Sequence, residues 1–110
     1  MKVSNAFQTF LSEAPGHAEA WLGAVKGLDR ASALDGKTEE LAYLAVLAAQ
    51  RLTSGIPFHV AAAKAEGATR EEIISAVLVG LPAVGNIVIE ALPIALAAFD
   101  ASAEVGHKDV

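Results

Sequence analysis

Between Ile73 and Phe99 the chain is almost continuously apolar, and this run restricts the available folds more than any other feature. A stretch of that length either crosses a membrane or forms the inside of a helical protein. Pro82, Asn86, Glu90 and Pro93 interrupt it. A carboxylate near the middle of a lone span costs roughly 2.5 to 3.5 kcal/mol on insertion scales. The run is therefore expected to form two packed helices of a soluble protein, with a membrane span as the lesser alternative and no membrane partner.

The rest of the chain carries the same helical period. Thr69-Arg70-Glu71-Glu72 has the pattern of a capping box, in which the Thr69 hydroxyl takes the Glu72 amide and the Glu72 carboxylate reaches back. It predicts a helix over residues 70–81 with Ile73, Ile74, Val77, Leu78 and Leu81 on its buried stripe. Upstream, Phe7, Phe10 and Leu11 recur at helical spacing over residues 5–13, and Pro15 with Gly16 ends that segment. Residues 17–34 place Trp21, Leu22, Val25 and Leu28 on one stripe.

Asp35 and Gly36 break the pattern before a helix over about residues 37–52. Its inward side is Leu41, Leu44, Ala45, Ala48 and Leu52, with Glu39 and Glu40 in the first turn, where the helix dipole favours anions. Ser54 is the expected N-cap of the next helix, with Gly55, Ile56 and Pro57 as its first turn, His59 about one turn in, and Gly67 as its stop. A last helix is expected over residues 86–103, bent at Pro93, followed by a frayed tail at 104–110. No segment alternates with the period of a strand. The predicted fold is all-α, a single-domain bundle of about six helices spanning residues 1–110, because a chain this short cannot build two cores.

Composition excludes several kinds of chemistry. There is no cysteine, so disulfides, thiolate catalysis and cysteine-ligated metals are ruled out. The net charge is −5 with lysines and arginines scattered singly, which argues against nucleic acid as a partner. The polar first ten residues lack the apolar centre of a signal peptide, so a cytoplasmic location is expected. Mean hydropathy is +0.45. A small helical unit this apolar is expected to bury the excess against copies of itself, as a homo-oligomer.

Individual polar residues are few. His17 stands at a helix start, His107 in the tail and His59 among alanines, so no metal site is expected. Ser54 has a sufficient role as a cap, and no third partner marks it as a nucleophile. Glu90, in the most apolar part of the chain, is expected to face solvent or to hydrogen-bond across a subunit contact.

Three blocks resemble the carboxymuconolactone decarboxylase and alkylhydroperoxidase D-like family. They are Thr38-Glu39-Glu40-Leu41, Pro57-Phe58-His59-Val60-Ala61-Ala62-Ala63, and Glu66-Gly67-Ala68-Thr69-Arg70-Glu71-Glu72-Ile73. They fall within residues 37–84, about half of the chain, at family-like spacing. In the peroxidase branch, two cysteines separated by two residues precede the histidine, and a glutamate on the preceding helix completes a proton relay. The resemblance puts the glutamate on Glu40 and the histidine on His59. The cysteine positions fall on Leu52 and Gly55, and a further histidine falls on Ser54.

The acid-base half of the pattern is therefore present and the sulfur half is missing, which implies that thiol-dependent peroxidase activity is absent. What remains looks like the decarboxylase branch. The resemblance implies cofactor-free decarboxylase or lyase chemistry on a small carboxylic or lactone substrate, with His59 as proton carrier and Glu40 as its orienter. The free amides at the helix start beside Ser54 and Gly55 are expected to offer a site for a small anionic ligand, and the resemblance implies assembly as a dimer, trimer or hexamer. No cofactor and no metal are expected. A non-catalytic member, binding a small ligand or serving as a structural homo-oligomer, is the alternative, and Leu52 favours it by narrowing and drying the pocket.

Overall fold

The computed structural model describes residues 3–102. Ser4 opens α1 (Asn5–Glu13), its side-chain oxygen accepting the Phe7 amide. Only Ala14 separates α1 from α2 (Pro15–Ala31), which begins on a proline because a first turn needs no amide there. These two helices form a hairpin that packs through Phe7 and Phe10, and neither makes more than slight contact with the remaining helices. Asp35 then caps α3 (Gly36–Ala49) by accepting the Thr38 amide at 2.8 Å.

Beyond α3 the backbone turns sharply. Arg51 adopts φ of 59°, the left-handed region that costs a non-glycine residue about 1 kcal/mol. Its guanidinium grips both oxygens of Glu90 at 2.9 Å, so the turn is tied to a distant part of the chain. A 3-10 turn (Thr53–Gly55) leads into α4 (Ile56–Ala65). Gly67, at φ of 98°, reverses the chain where a side chain would be strained. Both bonds of the Thr69–Glu72 capping box then form and start α5 (Arg70–Leu78). The short α6 (Leu81–Val84), a 3-10 segment (Gly85–Ala91) and α7 (Leu92–Ala101) complete the described chain.

The core lies between α3, α4, α5, α7 and the second 3-10 segment. Leu44, Ile56, Val60, Ile73, Val77 and Val88 are fully buried there, and no polar or charged residue is buried among the described residues. Alanines 48, 63, 91 and 95 fill the remaining contacts, which lets the helices approach closely. The described residues are helical and turn-linked with no strand, as the periodicity predicts. Residues 70–101 are long and apolar enough to cross a membrane by length and composition, with a mean hydropathy of 2.0. They do not continue straight, because α5 and α7 pack on each other and a 3-10 segment lies between them.

Several boundaries differ from the expectations. The last helix begins at Leu92 and not at residue 86, and Pro93 stands in its first turn and does not bend it. Likewise α5 ends at Leu78, because Pro82 opens α6 instead of following a longer helix. The backbone of Ser32 is extended, so α2 stops at Ala31. Ser54 is not an N-cap: it lies inside the 3-10 turn, and Gly55 holds the cap position of α4 with no side-chain bond. Leu52, expected inward, is exposed, and so is the α2 stripe, with Trp21 57% and Leu28 70% accessible. Glu90 faces solvent, one of the two placements expected, and pairs with Arg51 of its own chain. The expected fraying at 104–110 lies outside the described residues.

Charged groups staple the surface. Lys37 meets Glu72 at 3.1 Å and Arg70 meets Asp100 at 2.9 Å. The Thr69 amide and Lys37 hold Glu72 below the usual carboxylate range, and the Arg70 guanidinium does the same for Asp100. A lowered folded-state value favours folding above the ordinary pKa, and that support is lost as pH falls through the lowered value. Glu39 has the opposite sign: desolvation and the facing Asp29 carboxylate raise it, so its contribution is present at low pH and lost as it ionises.

The capping box gives a direct test. Thr69→Ala removes the acceptor for the Glu72 amide and is expected to lower unfolding free energy by about 1 kcal/mol in urea titration. A loss below a few tenths would show that α5 is held by packing alone.

Candidate active site

Glu40 sits near the start of α3, one turn after the Asp35 cap, and His59 near the start of α4, one turn after Gly55. Both helices bury neighbouring residues, Leu44 and Leu47 on α3 and Ile56 and Val60 on α4, and this packing draws the two polar side chains together along the outer edge of the seam. His59 Nδ1 lies 2.8 Å from Glu40 Oε1, and each side chain is about one-quarter exposed, at 25% and 26%.

The chemistry of the pair assigns the proton. An ionised carboxylate only accepts hydrogen bonds, so Nδ1 carries the hydrogen and donates it to Glu40. In the neutral ring Nε2 then holds a lone pair. No described residue bonds to Nε2, and it is not sealed from solvent. Nε2 can therefore accept a proton from outside the pair. When Nε2 takes a proton, the imidazolium that forms already lies against a carboxylate.

Aromatic rings frame this base. Tyr43, three residues after Glu40 on the same face of α3, places its ring 4.3 Å from the imidazole, tilted by 49°. Phe58 meets it edge-on at 5.1 Å. Neither ring stands out in the sequence, although the three-residue spacing from Glu40 to Tyr43 is a usable signal. Between the helices, Gly55 leaves a small gap. A methyl group there would lie 3.6 Å from Leu47 Cδ1 and 4.0 Å from His59 Cδ2.

The other expected site residues are placed differently. Ser54 is exposed in the 3-10 turn and makes no side-chain bond among the described residues. The amides expected to offer an anion site are largely spent: Gly55 donates to the Leu52 carbonyl at 3.4 Å, Ile56 donates to the Thr53 carbonyl, and Pro57 has none. Leu52 is exposed. Among the described residues no three histidine, aspartate or glutamate side chains cluster as metal ligands. A separate open cleft of about 640 Å³ lies in the α1–α2 hairpin between Phe7, Phe10, His17 and Trp21, and it includes neither Glu40 nor His59.

The described cations of α3 to α5 and the turn between them are all engaged away from the pair. Lys37 bonds Glu72, Arg51 bonds Glu90, Arg70 bonds Asp100, and Lys64 donates to the Phe99 and Ser102 carbonyls while lying over the Phe99 ring. Glu40 pairs with His59 and, among the described residues, with no lysine or arginine.

No curated protein and no solved structure matches the chain. The sequence model of the carboxymuconolactone decarboxylase family matches residues 15–101, which takes in α2 through α7 and both members of the Glu40–His59 pair. With its all-helical fold and its lack of cysteine, the chain belongs to the carboxymuconolactone decarboxylase family.

Proposed function

We propose that this protein is a cofactor-free acid-base catalyst of decarboxylase or lyase type, in which His59 moves a proton at Nε2 and Glu40 orients and balances the ring. The 2.8 Å bond that commits Nδ1 to Glu40 and leaves Nε2 open carries this reading. A positioned base of this kind contributes about 100-fold to 10,000-fold in rate. Thiol peroxidase activity is absent on this reading, since Leu52 and Gly55 carry no sulfur to oxidise.

A second reading, a homo-oligomer with a structural role, draws support from α2. Trp21, Leu22, Val25 and Leu28 share one exposed face that the other described residues leave uncovered. The two readings are compatible, because this face lies on the hairpin and the acid-base pair on the seam between α3 and α4.

Proton transfer is tested with an unsaturated lactone. α-Angelica lactone isomerises by loss of a proton next to its carbonyl and return of a proton further along the ring. In deuterated buffer the protein is expected to accelerate this change and label the product. His59→Asn should reduce the rate about 100-fold or more, and Glu40→Gln about tenfold. A wild-type rate equal to that of buffer sinks the catalytic reading.

Hydrogen peroxide with a dithiol reductant is expected to be consumed no faster than without protein, and turnover above that control would require another oxidisable centre. Light scattering after size exclusion is expected to give a multiple of the chain mass, falling to the monomer in Trp21→Glu/Leu28→Glu. A monomeric wild type at micromolar concentration would count against assembly.

A further inference from the structure

The imidazole of His59 is tied to Glu40 by one hydrogen bond, through Nδ1, and a single bond does not fix a ring. The torsion that turns an imidazole about its Cβ–Cγ bond is broad, so the ring can rock while the bond persists and carry Nε2 through an arc. Proton transfer is sensitive to such freedom, since a misplacement of about 1 Å lowers a rate by about 100-fold. A second contact is needed to set the plane.

Tyr43 makes that contact. Its ring centroid lies 4.3 Å from that of the imidazole, with the two planes inclined at 49°. Glu40 and Tyr43 are three residues apart and share one face of α3, so the hydrogen-bond acceptor and the ring are carried by a single rigid element. One holds Nδ1 and the other bears on the ring itself. Phe58 also touches the imidazole, nearly perpendicular at 82°, but it adjoins His59 on α4 and moves with it. Tyr43 is 47% exposed and stands outside the buried cluster, so the core does not depend on its ring.

We propose that Tyr43 is a positioning residue for proton transfer: its ring, and not its hydroxyl, fixes the imidazole plane and with it the direction of the Nε2 lone pair. This rests on the reading of Glu40 and His59 as the acid-base pair. A phenyl ring at position 43 serves equally well. A branched aliphatic side chain there offers no flat surface for the imidazole to lie against.

Tyr43→Leu and Tyr43→Phe separate the ring from the hydroxyl. Ring motion is read in protein carrying 13C in its histidine rings, from relaxation of the His59 Cδ2–H and Cε1–H groups. In Tyr43→Leu the order parameter is expected to fall by about a quarter, toward that of flexible groups. The 15N spectrum should still show hydrogen on Nδ1, because the bond to Glu40 remains. Phenylalanine at this position should restore the order.

Lactone isomerisation gives the second readout. Tyr43→Leu is expected to lower kcat about tenfold with KM within about twofold of wild type, and Tyr43→Phe to recover kcat to within about threefold. The urea midpoint should be unchanged in both variants, as for other surface substitutions.

Undiminished ring order in Tyr43→Leu overturns the proposal. So does an equal loss in Tyr43→Phe, which makes the hydroxyl the active group, or a rise in KM with kcat kept, which makes Tyr43 a substrate contact. A lowered urea midpoint in Tyr43→Leu assigns the ring to the fold and also overturns it. The two readings fail separately. A wild type that does not isomerise the lactone removes catalysis and leaves the ring-order test of Tyr43 intact, whereas an active wild type whose imidazole stays ordered in Tyr43→Leu does the reverse.

Discussion

The contact between α3 and α4 is the constraint on which the rest depends. Leu44 and Leu47 from one helix meet Ile56 and Val60 from the other in a core without a buried polar side chain. Such a core gains from close packing and has no polar bond to enforce register, so the shapes of these side chains set how the two helices lie. Glu40, one turn before Leu44 on α3, and His59, between Ile56 and Val60 on α4, stand at the edge of that contact where it reaches water. A hydrophobic seam thus ends in a hydrogen-bonded one, and the imidazole is held by rigid elements on both sides.

What the sequence disclosed depended on how local each signal is. The capping box needs four consecutive residues and is legible as written, from Thr69 to Glu72. The start of α3 at Asp35 and Gly36 is similarly self-contained. The segment from Gly85 to Ala91 was not legible, because Ile87, Val88 and Ala91 satisfy a helical pattern while the tertiary structure winds them as a 3-10 segment to bury Val88. Ser54 misled for a related reason: a serine before a proline-containing first turn resembles a cap, but the tight turn moves that role to Gly55.

The candidate pair was named by family resemblance and not by local pattern. Glu40 and His59 are nineteen residues apart in the chain, and only the folded helices bring them to 2.8 Å. Tyr43 and Phe58 escaped notice because half-exposed aromatic residues on helices have many ordinary explanations. The chain has no cysteine, and the loop before α4 presents Leu52 and Ser54, so no thiol chemistry is open to it there.

The loosely joined hairpin has a consequence for how this molecule opens. Since α1 and α2 share little surface with the other helices, they can unfold and refold without disturbing the body formed by α3 to α7. Amide hydrogens in residues 5–31 then exchange through a low-energy local excursion, while those around Ile73 and Val77 wait for global unfolding. If copies associate through α2, the protection of the hairpin becomes dependent on protein concentration and that of the core does not, so one exchange experiment at two dilutions separates assembly from folding.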